Sequence, residues 1–179
     1  MIELENPVIA AVRKDSEFDF AVQSSASFIF MLKADVMTLK DVVARKKDKK
    51  VFVHIDMADG VGKDRKGIEL LKAVGVDGLI TTKNHLVFYA KEQGLKTVQR
   101  FFIIDSASVA TAKESIANTK PDFIELLPGV IPRVIKDFVE STQVPVIAGG
   151  LIQDKQDVIN ALSAGAEGVS TARKELWEI

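Results

Sequence analysis

The sequence predicts an α/β fold: a compact (βα)8 barrel of the TIM type, forming one domain over residues 1–179. Short apolar runs alternate eight times with segments of helical period, which predicts parallel strands joined by right-handed crossovers. A glycine pair ends the seventh run, a hydroxyl pair ends the eighth, and two segments 90 residues apart repeat each other. An open, doubly wound sheet is the alternative architecture. The position of the two pairs in the last two units favours the barrel.

Each predicted strand is an apolar run of the length that a buried parallel strand needs. The strands are predicted over residues 7–12, 28–32, 51–56, 78–82, 96–104, 123–127, 145–148 and 168–171. The helices between them begin at residues that favour helix N-termini. They are predicted from Ser16 to 23, from Thr38 through the basic run 45–50, from Asp64 to 74, over 84–93, from Asp105 or Ser106 to 118, over 132–141 and from Asp154 to 165, with a short eighth helix after Arg173.

The composition suits one such barrel and excludes several classes of protein. Of the 179 residues 47% are hydrophobic, and the formal net charge is −1. The chain can therefore build a large core but has no overall attraction to nucleic acid. No cysteine is present, which excludes disulfides and thiolate chemistry. No apolar run approaches the roughly 20 residues of a membrane span, so we expect a soluble, cytoplasmic protein.

An internal repeat supports the barrel. Residues 60–83 align without gaps on residues 150–173, with five identities in 24 positions. Because the offset of 90 residues is about half the chain, units three and four would be related to units seven and eight by a twofold axis. Convergent turn chemistry is the alternative explanation. The repeat places the Thr81-Thr82-Lys83 segment opposite the hydroxyl pair, across the mouth, which is the end of the barrel where the strands finish.

The last two turns carry the clearest candidate site. Gly149 and Gly150 let the backbone approach a ligand closely. Ser170 and Thr171 offer hydroxyl and amide hydrogens just before a helix, where an anion is favoured. The turns after strands seven and eight are the usual phosphate site of a βα barrel. The sequence therefore predicts a phosphate site here.

Polar residues within predicted strands form a second group of candidates. His54 and Asp56 share one face of strand three, while Arg100 lies on strand five and Glu125 on strand six. Near the ends of their strands these side chains would point into the mouth. A structural ion pair between Arg100 and Glu125 is the alternative. The chain has two histidines and no cluster with metal-ligand spacing, so we predict no metal and no cofactor.

Basic residues follow several strands at the mouth. They are Arg13 and Lys14 after strand one, Lys33 after strand two, Lys63, Arg65 and Lys66 after strand three, and Lys83 after strand four. This end therefore carries more positive charge than the net charge suggests, which suits a phosphate group or an RNA backbone. The basic run 45–50 falls at the opposite end, where we interpret it as a solvated helix end.

Six segments together match the pattern of a known family. They are FVHIDMADGVGKD (52–64), GLITTKN (78–84), QRFFIIDS (99–106), ELLPGVIP (125–132), PVIAGGLI (145–152) and STARKELW (170–177). In order and spacing they resemble the bacterial glycerol-3-phosphate-responsive antiterminators. The resemblance implies a βα barrel that senses glycerol 3-phosphate and binds the messenger RNA leader of a glycerol operon. It also implies a regulator, not an enzyme, because binding prevents a terminator from forming.

The resemblance also implies a ligand site and an RNA partner. The residues expected at glycerol 3-phosphate are Gly149, Gly150, Ser170, Thr171 and Arg173 for the phosphate, Asp56, Arg100 and Glu125 for the hydroxyl end, and Thr81 and Lys83 of the family's Thr-Lys motif. The resemblance supplies no residue-level RNA site, so the expected RNA contacts follow from the positive charge at the mouth: Lys33, Lys63, Arg65 and Lys66. A homo-oligomer is compatible with this function, because a small monomer would struggle to hold an RNA hairpin alone.

An enzyme acting on a small polyol or sugar phosphate, such as an isomerase or epimerase, is the alternative function. Such an enzyme needs an acid–base pair within reach of one carbon atom. His54, Asp56 and Glu125 are the only candidates for that pair.

Overall fold

Eight parallel strands close into a barrel in the computed structural model, which describes residues 4–179. The strands are β1 (Val8–Val12), β2 (Phe28–Met31), β3 (Lys50–His54), β4 (Gly78–Thr81), β5 (Lys96–Phe102), β6 (Phe123–Leu127), β7 (Val146–Gly149) and β8 (Gly168–Thr171). Each strand pairs with its neighbours in sequence, and β8 pairs with β1 to close the ring. The predicted (βα)8 barrel is confirmed.

Seven α-helices connect the strands on the outside of the barrel. They are α1 (Asp15–Gln23), α2 (Val36–Val43), α3 (Arg65–Val74), α4 (Asn84–Glu92), α5 (Ser106–Thr119), α6 (Pro132–Ser141) and α7 (Lys155–Ser163). After β8 a single 3-10 turn, Lys174–Leu176, takes the place of the predicted eighth helix. None of the helices within residues 4–179 has the length and apolar character that crossing a membrane requires.

Two apolar cores hold the strands and helices together. A larger core packs the helices against the outside of the sheet. The inside of the barrel is filled by Ile9, Phe28, Phe30, Phe52, Ile80, Val98, Phe123 and Ile147. Side chains alternate between the two faces of a strand, so residues two positions beyond an inward-facing one also point inward. This alternation places His54, Arg100 and Glu125 inside the barrel, at the end nearest the mouth.

Two helices begin earlier than the sequence predicts. Lys14, not Ser16, is the N-cap of α1, and the carboxylate of Glu17 accepts the amide of Lys14 at 3.3 Å. Asp35, not Thr38, caps α2 by accepting an amide hydrogen at 2.9 Å. The Thr38 hydroxyl donates instead to a carboxylate of α1 at 2.6 Å. In α1 the carboxylate of Glu17, and in α2 the carboxylate of Asp35, accepts an amide hydrogen that would otherwise be unpaired at the start of the helix. Each carboxylate therefore determines where its helix begins.

The basic run 45–50 lies beyond the end of α2 and is not helical, contrary to the prediction. Lys46 Nζ donates to the carboxylate of Asp77 at 2.7 Å, and Lys50 pairs with the same carboxylate at 3.6 Å. Lys49 Nζ donates to the carbonyl of Ser24 at 2.9 Å. The run therefore fastens loops together at the end of the barrel remote from the mouth.

A two-stranded parallel ribbon outside the barrel is an element that the sequence does not predict. Ala34–Asp35, in the loop after β2, pairs with Ala58–Asp59, in the loop after β3. Strand β3 ends at His54, and Ile55–Met57 forms a 3-10 turn. Asp56 therefore lies outside strand three, and the prediction that it shares a strand face with His54 is wrong.

The internal repeat has a matching backbone. Gly60 and Gly150 both adopt left-handed conformations, with φ of 73° and 76°. Asp64 and Asp154 cap α3 and α7, each accepting the amide of the third helical residue at 2.9 Å. The segments 60–83 and 150–173 thus share a left-handed glycine and a helix cap as well as their sequence pattern, while Leu151 is left-handed and its counterpart Val61 is not.

Candidate functional site

A cavity of about 400 Å³ opens at the mouth of the barrel. It is lined by Ala11, Arg13, Leu32, Arg100, Glu125, Leu127, Gly150, Leu151, Ile152, Gln153, Ser170, Thr171, Ala172 and Arg173. Its volume lies within the range of roughly 300–1,000 Å³ that is typical of small-molecule sites. The end of β8 and the turns after β7 and β8 together contribute eight of the fourteen lining residues. The carboxyl ends of the strands are where βα barrels place their sites.

The turn after β7 holds a strained backbone against the cavity. Gly150 has a φ of 76° and Leu151 a φ of 63°. The left-handed region costs a residue such as leucine about 1–2 kcal/mol, and strain of this kind is concentrated at functional sites. Within residues 4–179 the amides of Gly150 and Leu151 donate no hydrogen bond. Polar backbone groups require partners, so these two amides can bind an anion in the cavity.

The turn after β8 is tied to the turn after β7 through Thr171. The Thr171 hydroxyl donates to the carbonyl of Ile152 at 3.1 Å and accepts the amide of Arg173 at 3.1 Å. The indole of Trp177 donates to the carbonyl of Thr171 at 2.8 Å. The hydroxyl of Thr171 is thus used inside the protein, and its role is to fix the distance between the two turns.

The floor of the cavity consists of Arg100, Glu125 and Ser170. Arg100 Nε donates to Glu125 Oε2 at 2.6 Å, and Ser170 Oγ donates to Glu125 Oε1 at 2.6 Å. The side chains of Arg100 and Glu125 are 10% and 1% exposed. A Cβ atom on Gly149 would lie 2.5 Å from Glu125 Oε1 and 2.6 Å from Ser170 Oγ. The ion pair is therefore formed, it faces the cavity, and it needs a glycine beside it.

His54 is buried inside the barrel, and its Nδ1 atom has no hydrogen-bond partner within residues 4–179. Burial and the positive charge of Arg100 lower the pKa of His54, while the carboxylates of Asp56 and Glu125 oppose that shift only in part. The imidazole is therefore neutral at neutral pH. No group of three or more histidine or acidic residues within residues 4–179 could hold a metal ion.

Asp56 is bound by the segment that follows β4. Its carboxylate accepts the hydroxyl of Thr81 at 2.6 Å, and both the amide and the hydroxyl of Thr82 at 2.8 Å. Burial alone would raise the pKa of Asp56, but these three hydrogen bonds lower it below its ordinary value. The Thr81 hydroxyl also accepts the amide of Lys83 at 3.1 Å, as Thr171 does for Arg173. The repeat therefore uses its threonine in the same way in both halves.

The structure brings together most of the residues predicted at the ligand. Gly150, Ser170, Thr171, Arg173, Arg100 and Glu125 line the cavity, and Gly149 lies against its floor. Asp56, Thr81 and Lys83 are not among the lining residues. The twofold repeat places this second group on the opposite side of the mouth, where its polar groups bind one another.

The cations predicted to contact RNA are mostly engaged within the protein. Lys63 Nζ donates to two carbonyls of its own loop at 2.6 and 2.9 Å. Arg65 pairs with a glutamate of α4 and lies over a tyrosine ring of that helix, and Lys66 pairs with a glutamate of α3 at 2.6 Å. Lys33 is exposed. Of the four, Lys33 is thus the one without a hydrogen bond or ion pair to residues 4–179.

Two features of the cavity are absent from the predicted set of ligand residues. Arg13 lines the cavity because β1 pairs with β8, which brings the residue after β1 beside the turn after β8. Its position after a predicted strand, together with ring closure, is the signal that could have found it. The left-handed conformation of Leu151 has no signal in the sequence, because leucine rarely adopts it.

Comparison with known proteins identifies close relatives. An uncharacterised protein of Escherichia coli (strain K12), YgcP, is 35% identical over 178 residues, which cover 98% of this chain and 93% of the relative. The crystal structure of a glycerol uptake operon antiterminator regulatory protein from Listeria monocytogenes matches with a TM-score of 0.92 and 32% identity, over 98% of each chain. That of a glycerol uptake operon antiterminator-related protein from Thermotoga maritima matches with a TM-score of 0.87 and 30% identity, over 100% of each chain.

The family assignment rests on nearly the whole chain. The sequence model of the glycerol-3-phosphate responsive antiterminators matches residues 8–177, which include every strand of the barrel and both turns that line the cavity. The chain therefore belongs to the glycerol-3-phosphate responsive antiterminator family.

Proposed function

We propose that this protein binds glycerol 3-phosphate in the cavity at the mouth and, when bound, recognises the messenger RNA leader of a glycerol operon in the cytoplasm. The observation that carries the proposal is the division of the cavity into two parts. Its outer part favours an anion, and its floor offers buried polar side chains. A phosphate group joined to a short polyol has the same two parts.

The outer part of the cavity suits the phosphate. The amides of Gly150 and Leu151 lack partners within residues 4–179, and the side chains of Arg13 and Arg173 line the same space. Backbone amides and guanidinium groups are the usual partners of phosphate oxygens, and charge-assisted hydrogen bonds are the stronger ones. We place the phosphate between the turn after β7 and the turn after β8.

The floor suits the hydroxyl end. Glu125 and Ser170 carry oxygen atoms and Arg100 carries two terminal nitrogens, and all three side chains line the cavity. Oxygen and nitrogen atoms of this kind accept and donate hydrogen bonds to hydroxyl groups. Asp56, Thr81 and Lys83 lie outside the lining, so the hydroxyl end is assigned to the floor alone.

Regulation requires that the ligand favour one arrangement of the loops at the mouth, because equal affinity for two states shifts no equilibrium. RNA binding is then assigned to the same face, where the cations Lys33, Arg13 and Arg173 are exposed. Lys63, Arg65 and Lys66 contribute only if RNA displaces their present partners. An acid–base role is not favoured for Asp56 or Glu125, since both carboxylates are held in short hydrogen bonds.

The test combines calorimetry with RNA binding. We expect glycerol 3-phosphate to bind the purified protein, and Arg173→Gln to weaken that binding about tenfold, the loss of one partly exposed charged contact of about 1.4 kcal/mol. Arg45→Gln is the matched control, since Arg45 pairs with Asp19 on the helix layer and is not part of the cavity. A gel shift with the leader transcript should require the ligand and weaken steeply with salt.

Four results would count against the proposal. If glycerol and glycerol 3-phosphate bind with the same heat, the phosphate group does not contribute to binding at this site. An Arg173→Gln variant with unchanged affinity would move the phosphate elsewhere. RNA binding that ignores the ligand would separate the two activities, and turnover of a phosphorylated polyol would instead support an enzyme.

A further inference from the structure

The floor of the cavity contains two opposite charges that cancel. Arg100 and Glu125 face each other in the register of β5 and β6, and both point into the barrel. Their side chains are joined at 2.6 Å and almost completely buried. His54, beside them, is neutral, since burial and Arg100 lower its pKa. No net positive charge is therefore available at the inner end of the cavity.

The carboxylate of Glu125 is held by two hydrogen bonds and has room because of a glycine. Arg100 Nε holds one oxygen, and Ser170 Oγ holds the other. Gly149 provides the space, because a Cβ atom there would lie 2.5 Å from Oε1. Glu125 thus cannot turn away to release Arg100, and removing either member of a buried pair leaves an uncompensated charge.

The outer part of the cavity, unlike the floor, carries a net positive charge in its lining. Arg13 and Arg173 line it, and the amides of Gly150 and Leu151 add two further donors. Among residues 4–179, Glu125 is the only acidic residue in the lining. An anion is therefore favoured at the outer end and unfavourable at the inner end, where it would meet a buried carboxylate.

We propose that Glu125 makes the cavity selective for monophosphorylated ligands whose other end is an uncharged hydroxyl group, and excludes ligands that carry a second anion there. This inference rests on the proposed function, since it assumes that the phosphate occupies the outer end. Glu125 acts by occupying Arg100, which would otherwise attract a carboxylate or a second phosphate. Rejection of the wrong ligand is then achieved by repulsion, a common device of specific sites.

The test compares glycerol 3-phosphate with 3-phosphoglycerate by isothermal titration calorimetry. The second ligand carries a carboxylate in place of the terminal hydroxymethyl group. The native protein should bind it about 100-fold more weakly, because the carboxylate is buried next to Glu125. In Glu125→Gln the ratio should fall below about threefold, chiefly through a gain for 3-phosphoglycerate, because Arg100 is then unpaired.

Two further variants separate charge from shape. Asp59→Asn removes an exposed carboxylate near the mouth that lies outside the cavity lining, and it should leave the ratio unchanged. The double variant Arg100→Met with Glu125→Gln removes both charges of the floor. It should still disfavour 3-phosphoglycerate by about tenfold or more, since a carboxylate would be buried there without a cation.

The outcomes distinguish this inference from the function on which it rests. Equal affinity of the native protein for both ligands overturns the selectivity and leaves glycerol 3-phosphate sensing intact. Absence of binding to either ligand overturns both. If Glu125→Gln does not fold, as circular dichroism would reveal, the native ratio and the double variant decide: a native ratio near one, or a double variant that prefers 3-phosphoglycerate, contradicts the proposal.

Discussion

At the scale of a single residue, Gly149 determines whether Arg100, Glu125 and Ser170 can form the floor of the cavity. The hydrogen atom in place of a side chain leaves room for the carboxylate of Glu125 and the hydroxyl of Ser170, which together fill the space that a Cβ atom would need. Close packing inside a barrel leaves no alternative position for either group. Gly149, which has no functional group, thus determines where the carboxylate of Glu125 and the hydroxyl of Ser170 lie.

We expect Gly149→Ala to lower the free energy of unfolding by about 2–3 kcal/mol, because the added methyl group overlaps two buried polar atoms. It should also abolish measurable binding of glycerol 3-phosphate. Chemical denaturation and calorimetry measure the two effects.

Gly94→Ala is the matched control for this substitution. Gly94 has a φ of 75°, but apart from its two chain neighbours no residue within 4–179 has an atom within 4 Å of the added Cβ position. Its cost is then backbone strain alone, about 1 kcal/mol, and ligand binding should be unaffected. Equal losses of stability in the two variants would contradict the steric explanation.

The sequence indicates which residues form the site more directly than it indicates how their side chains are oriented. Glycine and hydroxyl pairs at the ends of strands predict the lining, and six of the ten predicted ligand residues line the cavity. Asp56 is misplaced because the chain leaves the strand one residue after His54, and strand parity no longer applies. The hydroxyl of Thr171 is used internally, which follows only once the position of Ile152 is known.

At the scale of elements, the repeat offers a comparison inside one molecule. Asp64 and Asp154 make the same capping hydrogen bond at the start of α3 and α7, at the same length of 2.9 Å. Only α7 follows the turn that lines the cavity. The two caps therefore make the same hydrogen bond, but only the cap of α7 lies next to the cavity.

We expect Asp64→Ala and Asp154→Ala to reduce stability by similar amounts, about 1 kcal/mol each, the usual cost of losing an N-cap. Only Asp154→Ala should weaken glycerol 3-phosphate binding, by several-fold, since the cap fixes the end of the turn that includes Leu151. Thermal unfolding and calorimetry on both variants check the pair. A loss of affinity in Asp64→Ala as large as in Asp154→Ala would show that the effect is a general loosening.

The caps of the other helices show the limit of local sequence signals. Asp64 and Asp154 are predicted and observed as caps, because each is followed by an uninterrupted helical pattern. Asp105 is the observed cap of α5 and is one of the two residues predicted there, the other being Ser106. Ser16 and Thr38 are good capping residues in the wrong register, since a nearby carboxylate starts each helix earlier. The ribbon formed by Ala34–Asp35 and Ala58–Asp59 is too short to produce a periodic pattern at all.

At the scale of the whole molecule, the alternation of strands and helices predicts a parallel sheet, and the glycine and hydroxyl pairs in the last two units favour its closure into a barrel. The sequence pattern does not predict which side chains fill the barrel. Eight apolar residues fill the part away from the mouth, and His54, Arg100 and Glu125 fill the end nearest the mouth. The burial of His54 has a consequence for the stability of the entire fold, because its pKa is lowered on folding.

We expect the free energy of unfolding to decrease as the pH falls below about 6.5, the ordinary value for histidine. The unfolded chain then binds a proton that the folded chain does not, so stability is lost until the pH passes the lowered folded value, with a slope of at most about 1.4 kcal/mol per pH unit for one group. Asp56, whose pKa is also lowered, contributes only at more acidic pH.

Denaturant unfolding at pH 7 and pH 5 checks this dependence. His54→Gln should reduce the difference between the two pH values. His85→Gln is the control, because His85 is exposed on α4 and its replacement should preserve the difference. A native protein equally stable at both pH values would contradict the assignment of a neutral, buried His54.

The two-stranded ribbon outside the barrel joins the loop after β2 to the loop after β3. Leu32 touches the cavity, and two residues later Ala34 pairs with Ala58, whose carbonyl in turn holds the ammonium group of Lys63. If the proposed ligand displaces Leu32 on binding, we expect the paired backbone to transmit that displacement to Lys33 and Lys63. Binding inside the barrel would then change the spacing of positive charges at the mouth.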